Sequence, residues 1–365
     1  MKKIAFYLPQ FHPIPENDAW WGNGFTEWTN VRRARPLFKG HLQPQEAGEL
    51  GEYDLRDDRV RLAQIALAKS HGVDAFCYYS YWFLGKTLLE TPLRRLLAQP
   101  GADFPFCLCW ANETWSRAWD GREREILIEQ RYSAADDAAY AEYLCGIFSD
   151  PRYLKVEGKP VFLIYRLQNL PDPKRFLSAL RGAAERKGFP GVRVFAVLNF
   201  SCHMTDGEIA ELGIEDVADF QPNPADFPPR GLCGKGIRFL QRLWNRAAPR
   251  LGLRQVHSVL RVPYRSLVER VCAGYGKGSL NHCPVVFPNW DNSPRRKAAT
   301  VIQNDDPAAF EEWTRRAAEF VRSKPERDRF LFVNAWNEWA ESAHLEPDRR
   351  TGRAFLEAFA RGAGP

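Results

Sequence analysis

No two of the eight cysteines in this 365-residue chain are spaced as CxxC, and no Cys/His set has the spacing of a zinc site. Cys77, Cys107 and Cys109 fall inside apolar, strand-like runs, where a reduced cysteine behaves as a small hydrophobe. That usage points to a reducing compartment, the cytoplasm. Long apolar runs are also missing. Met1-Lys2-Lys3 followed by Ile4–Leu8 resembles the start of a signal peptide, but Pro9-Gln10 ends the run after five residues. That is too short for a signal core or a membrane span. There is no Asp-x-Asp, the metal-nucleotide signature of many sugar-nucleotide transferases, and no Ser-centred nucleophile elbow. Gly85-Lys86-Thr87 lacks the upstream glycine of a phosphate loop, because Ser80 stands there. Gly274–Gly278 is GxGxG after a predicted helix and reads as a loop. No internal repeat or low-complexity linker divides the chain, so a single domain over 1–365 is expected.

Net positive charge is confined to one segment. Residues 226–263 hold eight basic residues against Asp226, a local +7, whereas the whole chain carries +6. A nucleic-acid-binding body is therefore excluded, and an anionic partner would meet one local element. Within that segment Ile237, Leu240, Leu243, Trp244 and Ala247 form a helical stripe beside Arg238, Arg242 and Arg246. Such a helix suits peripheral contact with an anionic inner-membrane surface through 230–254, or a solvated lid.

Apolar runs of strand length alternate with helical patterns. Strands are predicted at Ile4–Leu8, Ala75–Tyr79 (continuing to Phe83), Phe106–Trp110, Val161–Tyr165, Val192–Val197, Val217–Phe220, Pro284–Phe287 and Phe330–Ala335. Helices are predicted at Arg59–Ser70, Thr87–Gln99, Ala134–Phe148, Pro173–Lys187, Asp206–Leu212, Tyr264–Tyr275, Pro307–Ser323 and Arg353–Ala360. Eight alternations in one chain of this length predict an α/β fold, a (β/α)8 TIM barrel. It would carry long aromatic-rich loops at its C-terminal face and the basic insertion 226–263 between strands six and seven.

Twelve tryptophans make the chain rich in indole, and ten lie at or just after a predicted strand: Trp20, Trp21, Trp28, Trp82, Trp110, Trp115, Trp119, Trp290, Trp336 and Trp339. That bias suggests a sugar-binding mouth. Just past the last strand, Trp336-Asn337-Glu338-Trp339-Ala340-Glu341 sets two carboxylates three positions apart between indoles, with Glu346 following. Glycosidic chemistry needs one carboxyl to hold a proton and another to act as base or nucleophile, beside flat faces for sugar rings. An acidic first turn of a helix is the alternative. Glu27, Glu113 and Asp291 follow other strand ends. Each is a third acid of the mouth or the partner of an arginine such as Arg32, Arg117 or Arg295. His12, His41 and His344 are sugar contacts or structural histidines.

The stretches IAFYLPQFHPIPEND…WWGNGFTEWTNV, YDLRD, FCYYSYWF, FPFCLCWANETW, DNSPRR and NAWNEWAE…HLEPD resemble glycoside hydrolase family 99-like proteins of the WbsX type. The resemblance runs from residue 4 to about residue 348, with a gap in the basic insertion. It implies a (β/α)8 barrel and kinship to retaining endo-α-mannosidases. It also implies an association with O-antigen and other surface-polysaccharide assembly. Carried over by motif, Glu338 becomes the base for the sugar 2-hydroxyl, which attacks C1 to give a 1,2-anhydro sugar. Glu341 becomes the acid/base. The mannosidases carry His and Gly where this chain has Ala340 and Ser342, so one polar contact to the sugar is absent here.

The expected substrate contacts are Trp20, Trp21, Glu27, Trp28, Tyr79, Trp82, Trp110, Asn112, Glu113, Trp290, Asp291, Trp336, Asn337, Trp339 and Glu346. The expected substrate is an oligosaccharide or polysaccharide intermediate, free or lipid-linked, with no cofactor or metal. A glycosyltransferase using the same carboxylates and a non-catalytic glycan-binding protein are the competing expectations.

Overall fold

Eight short apolar runs form parallel strands: β1 (Lys2–Tyr7), β2 (Ala75–Phe83), β3 (Phe106–Trp110), β4 (Lys159–Ile164), β5 (Arg193–Val197), β6 (Asp216–Asp219), β7 (Asn281–Val286) and β8 (Phe330–Val333). Each pairs in parallel with its neighbours in sequence, and β8 pairs with β1 through Lys2↔Phe330 to Ala5↔Val333, so the sheet closes. Helices follow the strands in turn: α1 (Asp58–Ser70), α2 (Thr91–Ala98), α3 (Ala134–Phe148), α4 (Pro173–Arg186), α5 (Asp206–Ala210), α6 (Tyr264–Cys272), α7 (Pro307–Arg322) and α8 (Ala354–Ala363). The result is a (β/α)8 barrel. The computed structural model describes residues 1–117, 122–229, 243–244 and 258–365. Trp119 and nearly all of the predicted basic helix 237–253 therefore lie outside the described residues. No helix among the described residues is long and apolar enough to cross a membrane.

The chain punctuates its helices with short polar side chains. Asp57, Ser133, Asp172 and Asp306 each accept from a backbone N–H of the first turn, and Thr205 and Glu208 form a capping box at α5. Most element boundaries move by one to three residues from expectation, and the largest shift is at α2. The helix predicted from Thr87 begins at Thr91, because Lys86–Leu88 folds back as an antiparallel strand on Tyr81–Phe83. Leu84 (φ 46°) and Gly85 (φ 83°) make that turn.

Alternation along the strands decides which side chains fill the barrel. Phe6 packs on Phe220, just past β6, at 5.3 Å, and Tyr79 on Tyr165, just past β4, at 5.8 Å. These contacts join strands that are not neighbours, so they cross the interior. Cys77, Cys107 and Cys109 are fully buried and free.

Away from the mouth, His282 of β7 is held by two carboxylates. Its Nδ1 lies 2.8 Å from Asp219 and its Nε2 3.1 Å from Asp206. Burial opposes its charge, but the two acids outweigh that and raise its pKa to about 9. A histidine pKa raised on folding stabilises the fold fully below its unfolded value near 6.5, and that contribution is lost as pH rises through 9. Urea unfolding at pH 6.5 and 9.5 should show wild type losing on the order of 2 kcal/mol more than His282→Gln across that interval. Equal losses in the two proteins would remove the assignment.

Candidate active site

Past β8 the chain makes a tight hairpin. Asn337–Glu338 pairs antiparallel with Ala343–His344, and Trp339–Glu341 forms the 3-10 turn between them. The two carboxylates thus stand on a hairpin rather than in a first helical turn. Ser342 closes the turn at φ 53°, the left-handed region that glycine adopts without strain. This is the position at which the resembling mannosidases carry Gly. The hairpin is fixed from below: Asn337 Oδ1 accepts from Leu8 N–H at 2.7 Å, and its Nδ2 donates to Leu8 O at 3.0 Å. Those bonds splice the hairpin onto the end of β1.

Glu338 and Glu341 meet at Arg295. The Nη2 of Arg295 lies 3.0 Å from Glu338 Oε2, and its Nη1 lies 3.0 Å from Glu341 Oε1. A third carboxylate, Glu27, joins them: its Oε2 is 3.0 Å from Nη2 and 3.1 Å from Nε. Burial raises the pKa of both Glu338 and Glu341, and Arg295 offsets only part of that rise. Glu338 is pushed up to about 8, with Glu341 and Glu27 adding repulsion. One guanidinium serves three acids, so the cluster retains a proton more readily than isolated glutamates would.

Asp291 is buried beside this cluster. His41 Nε2 lies 2.7 Å from its Oδ2, and Gln43 Nε2 donates to the same oxygen at 2.6 Å. Leu37 N–H donates to His41 Nδ1, which leaves Nε2–H to donate to Asp291. Gln43 Nε2 also donates to Ser342 Oγ at 2.9 Å, so the loop after β1 buttresses the turn. Glu113 lies outside the cluster and pairs with Arg166. Sequence proximity misled here: Arg32 pairs with Glu52 and Arg117 with Glu125, whereas Glu27 finds Arg295 across the barrel mouth.

Glu346 is buried behind the hairpin. Trp339 Nε1 at 2.6 Å, Tyr53 Oη at 2.7 Å and Gln64 Nε2 at 2.6 Å all donate to it. Burial dominates, and its pKa rises to about 7. With every acceptor engaged, Glu346 positions Trp339 and the hairpin and does not open to the mouth. Asn112 is likewise a strap: it donates to Arg166 O at 2.9 Å and to Tyr132 Oη at 3.2 Å, and accepts from Arg166 N–H.

The indoles divide into two sets. Trp20, Trp21 and Trp290 are half-buried, as is Trp115, whose ring meets Trp20 edge-on at 5.9 Å. Trp28, Trp82, Trp110, Trp336 and Trp339 are at most 6% exposed. Trp110 points outward from β3 and packs against Tyr140 of α3 at 4.6 Å and Phe176 of α4 at 5.1 Å. Trp82 also points outward, stacking on Tyr140 and donating to Asp136 at 3.0 Å. Trp28 donates to Tyr53 O, Trp336 packs on Phe76, and Trp339 stacks on His344 at 3.8 Å. For these five, the expectation of an exposed sugar platform gives way to interior packing. A strand-end tryptophan faces the mouth only if strand parity turns it inward.

Tyr79, Tyr81 and Tyr165 border the pair, and their pKa values are raised, first by burial and then by Glu338 or Glu341 among nearby groups. Of these, Tyr81 and Tyr165 carried no functional expectation, and neither did Gln43. Inward parity in FCYYSYWF could have found Tyr81. Gln10 Oε1, Glu27 Oε1 and Gln43 Oε1 are buried acceptors with no hydrogen-bond partner among the described residues. No group of three or more His, Cys, Asp or Glu among the described residues is placed to hold a metal ion.

The family model described as glycosyltransferase WbsX matches residues 3–359. Two curated relatives, each called uncharacterized protein WxcX, come from two strains of Xanthomonas campestris pv. campestris. They are 40% identical over 359 residues, covering 97% of this chain and 48% of their own length. The chain thus spans about half the length of the curated relatives it matches. Among solved structures, the chain is similar to a glycoside hydrolase-like protein, with TM-score 0.58 and 12% identity over 100% of this chain and 94% of that one. It is also similar to the family 99 endo-α-mannosidase of Bacteroides thetaiotaomicron, with TM-score 0.56 and 13% identity over 98% and 95%. At such identities the shared property is the barrel fold.

Proposed function

The chain belongs to the glycosyltransferase WbsX family, and we propose on that premise that it is a carbohydrate-active enzyme in which Glu338 and Glu341 carry the reaction. The supporting observation is the carboxyl pair, Glu338 buried and Glu341 half-buried, with both pKa values raised and both held on one guanidinium at the barrel mouth. Glu338 and Glu341 titrate as a pair, so a proton held by the pair is open to either member, and the division into base (Glu338) and acid/base (Glu341) follows the motif resemblance.

The proposed reaction is cleavage of a glycosidic bond with help from the sugar 2-hydroxyl. Glu338 takes the 2-hydroxyl proton as O2 bonds to C1. The bond from C1 to the leaving oxygen breaks, and Glu341 gives that oxygen its proton. Water then opens the 1,2-anhydro sugar at C1. Its proton goes to Glu341, and Glu338 returns a proton to O2. Two inversions at C1 retain configuration. The carboxylates are regenerated, and no covalent glycosyl-enzyme forms. The half-buried Trp20, Trp21 and Trp290 supply apolar faces for sugar rings. The unpartnered acceptors of Gln10, Glu27 and Gln43 suit a hydroxyl-rich ligand.

The proposed substrate is a bacterial surface-polysaccharide or O-antigen intermediate, free or lipid-linked. The family's description favours a second reading, a glycosyltransferase in which a sugar hydroxyl replaces water at the same pair. Incubation of polysaccharide intermediates with and without nucleotide-sugar donors separates the two. Shortened glycans without donor, released first as the retained anomer by NMR, support the hydrolase. Growth that requires donor supports the transferase. Binding without either change would reject both in favour of a glycan-binding protein.

A further inference from the structure

Arg295 sits at the tip of the hairpin formed by Trp290–Asp291 and Ala298–Ile302, after β7. Its guanidinium donates to carboxylates from two other parts of the chain: Glu27 at the start of the helix Glu27–Arg33, and Glu338 and Glu341 on the hairpin after β8. Arg295 Nε donates to Glu27 Oε2 and Nη2 donates to Glu338 Oε2, while ion-pair contacts of 3.0 Å join Nη2 to Glu27 and Nη1 to Glu341. The contacts of Nε and Nη2 with one Glu27 oxygen hold that edge of the guanidinium in place. Glu27 is itself held, since Asn30 Nδ2 donates to it at 3.4 Å and its backbone N–H donates to Gln10 O at 3.1 Å.

We propose that Arg295 and Glu27 form one positioning unit for the reacting pair, Arg295 fixing where Glu338 and Glu341 stand and Glu27 fixing Arg295. The inference rests on the assignment of Glu338 and Glu341 as the reacting groups. Its charge consequence is specific. The groups facing the pair are Arg295 and Arg296 from the β7 hairpin, Glu27 from the first loop, and the hydroxyls of Tyr79, Tyr81 and Tyr165, with Glu113 after β3 acting on Tyr81 and Tyr165. Of these, Arg295 contacts both members of the pair, and Glu27 contacts Arg295. Removing the cation should make the pair harder to ionise, and removing the Glu27 charge should make it easier. A residue that merely supports the fold would not yield shifts of opposite sign.

The test is a pH titration of glutamate carboxyl carbons by NMR in the free protein. Spectra of Glu338→Gln and Glu341→Gln assign the pair. Arg295→Met should move the midpoint upward by about one pH unit, tenfold in the ionisation constant, and Arg295→Lys should restore part of the shift. Glu27→Gln should move it downward by a comparable amount. Unchanged midpoints, or shifts of the same sign, would overturn the proposal. If Arg295→Met does not fold by circular dichroism, the sign of the Glu27→Gln shift decides alone. No substrate is needed, so opposite shifts in a protein that neither cleaves nor extends glycans would keep this charge unit and reject the proposed reaction.

Discussion

Glu338→Gln should reduce turnover of a confirmed glycan substrate by about a thousandfold, the range expected for removing a positioned acid or base, while the protein stays folded. Glutamine keeps the shape of the side chain and an oxygen for Arg295 Nη2. What it lacks is the ability to take the 2-hydroxyl proton. Folding should tolerate the change because three acids compete for one cation at this point, and burial already disfavours the charge on Glu338. The measurement is single-turnover cleavage alongside thermal unfolding. Near-normal turnover would take Glu338 out of the chemistry, whereas lost turnover with lost folding would say nothing about the proton. The isosteric change is preferred to alanine for that reason.

Trp110→Ala should cost about 3–5 kcal/mol of stability, as expected when a large aromatic is removed from a packed core. It should not selectively weaken glycan affinity in whatever fraction stays folded. Trp110 is 1% exposed. Its ring fills the layer between β3 and helices α3 and α4, against Tyr140 and Phe176. Truncation leaves a cavity that the close-packed interior can only partly collapse. Chemical denaturation and glycan-binding titration of the same preparation check both halves. Lost affinity with unchanged stability would return Trp110 to the ligand face. Trp290→Ala is the matched control: its side chain is half-buried on the hairpin after β7 that also carries Arg295, so affinity should suffer more than stability.

The barrel was legible because most strands are dense apolar runs bounded by polar loops, and five of the eight helices start at a capping side chain. Phe106–Trp110 and Ala134–Phe148 agree with expectation at both ends. The misplaced start of α2 came from a local hairpin at Leu84-Gly85 that periodicity does not report. Within the site, the pairing of carboxylates at the end of β8 could be read from a single hexapeptide. The partner that gives the pair its electrostatics could not. Arg295 lies 268 residues from Glu27 and 43 from Glu338, and only closure of the barrel brings the three together. The tryptophans fall between these cases. Their position near strand ends was visible, but one residue of parity separates the outward Trp82 and Trp110 from the inward Tyr81 and Cys109. Composition at a strand end does not carry that distinction.

The most direct test compares polysaccharide intermediates of the host, including the lipid-linked ones, by mass spectrometry after incubation with wild-type protein and with Glu341→Gln. Glu341 would supply the proton to the leaving oxygen and later activate water, so shortened glycans should accumulate with wild type only. Full shortening by Glu341→Gln would contradict the account at its centre, because the acid it assigns would then be dispensable.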